Sequence, residues 1–73
     1  MRYYFSLNLT VEEFLPYYEG RVLSVVVTTT EGATVQFPAT HLRKIITPGG
    51  IHGVYCLETE NNKFLSLTEV KRK

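Results

Sequence analysis

Six side chains between residues 37 and 56 are the ones that chemistry would use. His41, His52 and Cys56 are the soft or borderline metal ligands of the chain, and Cys56 with a histidine would be a nucleophile and its base. Arg43 and Lys44 are adjacent cations, suited to carboxylate or phosphate. Phe37 adds an aromatic face beside them. Spacing removes the first two chemistries. His52 and Cys56 fall on one face of a strand, and four residues of strand separate them by roughly 13 Å. Ligands of one zinc ion each lie about 2.0 to 2.3 Å from the metal, so these two cannot share one. The same gap denies Cys56 a base, and a mid-strand cysteine reads as a small buried hydrophobe. The chain has no Asp, no G-x-S-x-G and no phosphate-binding glycine loop. Glu12 and Glu13 belong to a helix start, Glu31 and Glu60 to turns. The reading is a domain without catalytic residues, metal or cofactor.

The elements that must position these residues follow from periodicity. Residues 2–9, RYYFSLNL, alternate, with Tyr3, Phe5, Leu7 and Leu9 on one face of a strand. Thr10 and Glu13 form a capping box, and Val11, Phe14, Leu15 and Tyr18 fall on one helical stripe. The helix spans about two turns, kinked or restarted at Pro16 and closed by Gly20. RVLSVVVTTT, 21–30, is apolar on both faces and reads as a central strand covered on both sides over part of its length. Glu31-Gly32 is a tight turn with Gly32 at positive φ, and ATVQF, 33–37, returns antiparallel. Pro38 ends that strand. ATHLRKII predicts a turn of helix or a bulged edge segment, and Pro48-Gly49-Gly50 a turn with Pro at its second position and Gly at its third. IHGVYCLET, 51–59, is a strand with Tyr55 and Leu57 opposite Val54 and Cys56. Glu60-Asn61-Asn62 turns the chain into a last strand, 63–70, and Lys71-Arg72-Lys73 is a frayed basic end.

One domain spans residues 1–73. The fold class is α+β: five short, mainly antiparallel strands as one sheet, flat or curled into a half-open barrel, with one short helix between the first two strands. Hydrophobic residues make up 44% of the chain, which excludes disorder. Eight basic and seven acidic side chains leave a net charge of +1, far below that of a dedicated duplex-DNA binder. One cysteine makes no internal disulfide, and no signal peptide or membrane-length apolar run is visible. A cytoplasmic location without membrane association is the expectation.

The strings FPATHLRKII, GGIHGVYCL and NKFLSL, preceded by YYFSLNL and FLPYYEG, resemble the short proteobacterial proteins grouped as domain-of-unknown-function family 2835. The resemblance covers nearly the whole chain. Its more specific parts are F-P-A-x-x-L-R and G-I-x-G. Proline often follows the arginine in that family, and here Lys44 does. The family has no assigned activity or catalytic residue, so the resemblance implies a stand-alone cytoplasmic bacterial domain and carries no chemistry.

Two binding functions remain. Nine aromatics on a thin core, with an edge strand left open after Pro38, point to a protein-interaction or regulatory module that pairs with a partner or with itself. Its contact surface is residues 37–53: Arg43 as anchor, with Lys44, His41, His52 and Phe37. The second is single-stranded nucleic-acid binding on the same surface, by aromatic stacking and phosphate contacts, with Lys63 on a neighbouring edge. A small-molecule ligand in a barrel mouth stays compatible with the sequence.

Overall fold

A computed structural model describes residues 1–70; the basic end Lys71-Arg72-Lys73 lies outside the described residues. The order is β1 (Arg2–Leu9), α1 (Val11–Tyr18), β2 (Ser24–Thr28), β3 (Thr34–Pro38), a 3-10 turn (Ala39–Lys44), β4 (Ile51–Glu60) and β5 (Lys63–Glu69). The fold is α+β. Its five strands divide into two antiparallel sheets, β1-β4-β5 and β2-β3, and neither closes into a barrel.

β4 is the central strand. It pairs with β1 from Arg2↔Glu58 to Leu9↔Ile51, and with β5 from Tyr55↔Glu69 to Glu60↔Lys63. The expectation of a central strand at 21–30 is corrected. β2 covers only Ser24–Thr28, pairs with β3 alone among the described residues, and turns Val26 outward at 61% exposure. The cause is the helix end before it. The Gly20 N–H donates to the Tyr17 carbonyl and the Arg21 N–H to the Pro16 carbonyl, with Gly20 at φ +79°. This is a Schellman closure. The Val22 N–H also bonds the Pro16 carbonyl, and regular strand pairing begins only at Ser24.

Helix α1 opens with the expected capping box. The Glu13 N–H donates to Thr10 Oγ1 at 3.1 Å, and the Thr10 N–H to Glu13 Oε1 at 3.0 Å. The helix continues through Pro16 without a restart. The face it buries is not the expected stripe. Phe14 enters the core and Tyr17 packs against it, while Val11, Leu15 and Tyr18 face outward.

The core lies between the two sheets. Phe5 from β1 meets Phe37 from β3 at 5.9 Å between ring centroids, and Tyr55 from β4 at 6.5 Å. Val25, Val27, Leu42, Ile51 and Leu57 complete it. Asn61 and Asn62 both adopt positive φ in the β4–β5 turn, as their tolerance of the left-handed region allows. A bulge at Glu58/Thr59 sets Thr59 opposite Phe64 and Glu58 opposite Ser66, leaving Leu65 without a partner. That extra residue lets Phe64 and Leu67, three apart, both pack on the core.

Candidate functional site

The segment 37–53 does not present its side chains to one surface. Phe37 is a core residue at 3% exposure and is corrected as a contact residue. After Pro38 the chain forms no edge strand. The Ala39 N–H closes the β2–β3 ladder on the Leu23 carbonyl, and the backbone then rolls into the 3-10 turn. Buried Leu42 on that turn anchors it in the core, so its polar residues splay to different sides.

Arg43 reaches back to the helix. One guanidinium nitrogen, Nη2, donates to the Tyr18 carbonyl at 2.8 Å, and Cζ sits 4.7 Å above the centroid of the Tyr18 ring. That carbonyl is in the last turn of α1, where the helix leaves acceptors unpaired and the dipole is negative. The contact ties the 3-10 turn to the helix.

His41 turns the other way and stacks on Phe64 of β5, with ring centroids 3.6 Å apart and planes 8° from parallel. Its Nδ1 is buried with no hydrogen-bond partner among the described residues. Burial, and secondarily the Lys44 ammonium, hold its pKa below the ordinary 6.5. The unfolded chain therefore binds this proton more readily than the fold does. Stability is full above about pH 6.5 and declines as pH falls through and below that value. Urea midpoints measured between about pH 7 and pH 5 are expected to drop further in the wild type than in His41→Phe, which keeps the stack and loses the proton site. Parallel pH profiles for the two chains would rule this out.

His52 is a strut. It stands opposite Asn8 in the β1–β4 register, and its Nδ1 lies against the Asn8 side-chain amide. Its Nε2 lies 2.8 Å from the Gly49 carbonyl oxygen, so both ring nitrogens are engaged. The 47–50 turn is held to the sheet this way and is closed internally. Thr47 N–H donates to the Gly50 carbonyl at 3.1 Å, and Gly50 N–H to the Thr47 carbonyl at 2.9 Å. Pro48 occupies the second position as expected. The glycine at positive φ is Gly50, at +100°, and not Gly49.

Cys56 is half-buried on the outward face of β4, opposite Tyr4 and Thr68. Both nitrogens of His52 are engaged elsewhere, so no Cys–His pair forms. Among the described residues no three His, Cys, Asp or Glu groups gather to hold a metal ion, and no helix is long and apolar enough to cross a membrane.

Two arrangements emerge instead. The first is an outward apolar stripe, Val11, Leu15 and Tyr18 along α1, with Arg43 over Tyr18, and the chain leaving the helix exposes Val22 and, at 74%, Leu23 as well. The second is a cleft of about 350 Å³ lined by Lys44, Ile45, Ile46, His52, Tyr55 and Glu69, with Thr47 and Gly50 at the turn. Burial, and then the Glu69 carboxylate, raise the pKa of the Tyr55 phenol above 10.0, so it remains a hydroxyl at neutral pH. Lys44 is thus the one residue of the Arg43-Lys44 pair in this cleft. Sequence reasoning missed Glu69, which looks like any exposed acid in a terminal strand. It also missed the significance of Gly53, although a glycine inside a strand signals a close approach.

Comparison with known proteins gives no match among curated proteins or solved structures. The family model described as "Protein of unknown function (DUF2835)" matches residues 1–70, nearly the full chain, in agreement with the F-P-A-x-x-L-R and G-I-x-G strings; the chain belongs to that family.

Proposed function

We propose that the chain is a non-enzymatic protein-binding module, and that its contact surface is the outward face of α1 with the Val22-Leu23 segment. One observation carries this reading. The helix has a regular apolar stripe, Val11-Leu15-Tyr18, and turns it to solvent while Phe14 and Tyr17 serve the core. An amphipathic stripe ordinarily faces a core, and a contiguous apolar face left outside marks an interaction site. Tyr18 capped by Arg43 adds the two residue types most enriched where interfaces derive their energy. The surface thus keeps Arg43 and shifts from the 37–53 segment to the helix, with a protein partner, a second copy included, as its occupant.

The double variant Leu15→Glu, Leu23→Ser tests this. Both side chains are exposed, so the urea midpoint is expected to stay within about 0.5 kcal/mol of wild type. Self-association by sedimentation, or retention of a captured partner, is expected to weaken by at least about tenfold, or ~1.4 kcal/mol. Undiminished association in the double variant would refute the assignment, as would a wild-type chain that stays monomeric at high concentration and captures nothing.

A further inference from the structure

The cleft beneath the 3-10 turn has features that a chance surface depression lacks. In the β4 register Ile51, Gly53, Tyr55 and Leu57 point inward, and three of the four are core side chains. Gly53 withholds the fourth. It sits mid-strand, where glycine weakens a sheet and marks a close approach. The space it leaves is used: a Cβ placed there would lie 3.2 Å from Glu69 Oε2, 3.7 Å from the Tyr55 ring and 4.0 Å from its hydroxyl. Glu69 is directly opposite Tyr55 in the β4–β5 pairing, so its carboxylate is on the inward face of the sheet.

The ion pairs among the described residues are Arg2–Glu58 and Arg21–Glu19, both elsewhere. Lys44 lines the same cleft without pairing with Glu69. A cation and a carboxylate therefore line one cleft together with Ile45, Ile46 and Tyr55. The volume, about 350 Å³, is at the lower end for small-molecule sites. His52 is not available to a ligand, because both its nitrogens are held.

We propose that this cleft binds a small zwitterion of the α-amino-acid class, with its ammonium on Glu69 beside the Tyr55 hydroxyl, its carboxylate on Lys44 and its side chain against Ile45 and Ile46. The proposal is independent of the helix-face function. A ligand with one charge would meet only one of the two charged side chains that line the cleft.

The test is titration of the isotope-labelled chain with glycine, L-serine and L-leucine to about 10 mM, enough to saturate a millimolar site. The singly charged controls are L-leucine methyl ester and 4-methylpentanoate. Saturable amide shifts with at least one amino acid, confined to residues 44–55 and 69, are expected. Affinity is expected to fall by at least about tenfold for both controls, and by as much for Glu69→Gln and Lys44→Met with the wild-type amino acid. Both variants alter solvent-facing groups, and a dispersed spectrum establishes that they fold. Absence of saturable shifts with all three amino acids would overturn the proposal. So would controls that bind equally well, unchanged affinity in folded Glu69→Gln, or shifts confined to α1.

Discussion

Gly50→Ala is expected to unfold the protein or leave it marginal. A Cβ at this position would be 2.3 Å from the Leu9 carbonyl oxygen, 3.1 Å from His52 Nε2 and 3.2 Å from Thr10 Cα. The first contact is with backbone of β1 where it hands over to the helix, and backbone cannot rotate aside as a side chain can. Gly50 also sits at φ +100°, a conformation that an L-residue reaches only under strain. Strain alone costs about 1 to 3 kcal/mol, and the clash adds to it. A chain of this length has about 4 to 11 kcal/mol in total. The substitution would open the turn, release the His52 strut and part the end of the β1–β4 ladder. Gly49→Ala is the control. Its Cβ would meet only Thr47 Oγ1, at 3.9 Å, and its φ is not in the left-handed region. Urea denaturation is expected to show a loss of ~3 kcal/mol or more for Gly50→Ala and within about 0.5 kcal/mol for Gly49→Ala. Equal midpoints for the two variants would contradict the account.

Leu42→Ala is expected to have an effect of similar size by a different route. Leu42 is fully buried, and it is the side chain by which the 3-10 turn is anchored in the core. Its carbonyl accepts the N–H groups of Ile45 and Ile46, both at 3.1 Å, so the turn and the cleft floor depend on one residue. Truncating a buried Leu removes its transfer energy and leaves a cavity, together about 2 to 5 kcal/mol. The loss would spread to the neighbours that Leu42 positions. The His41–Phe64 stack and the Arg43 contact with Tyr18 are on either side of it. Where the variant still folds, ring-current shifts at His41 and Phe64 are expected to collapse toward random-coil values. A measured loss below about 1 kcal/mol, with the stack intact, would show that the 3-10 turn is held by something else.

Much of the local structure was legible in the residues. The capping box at Thr10 and Glu13, the closure at Gly20, the Glu31-Gly32 and Asn61-Asn62 turns and the inward positions of β1 and β4 each rest on contacts a few residues apart or on a period of two. Such features do not depend on what packs against them. The candidate site was less legible. His41, Arg43 and Lys44 are near neighbours in sequence, yet a short 3-10 turn sends them to Phe64, to Tyr18 and to the cleft in that order. One-dimensional clustering cannot show this divergence, because successive residues of a tight turn point in different directions.

By itself the sequence determined the α+β class, the family, the order of elements and most strand faces, since periodicity and turn chemistry are local. Only the tertiary structure decided which strand is central, which side of α1 is buried and which charges share a cavity. Those outcomes depend on strand pairing and on volume. The bulge at Leu65 and the missing side chain at Gly53 put Glu69 beside Tyr55, and that juxtaposition exists only once β4 and β5 have paired.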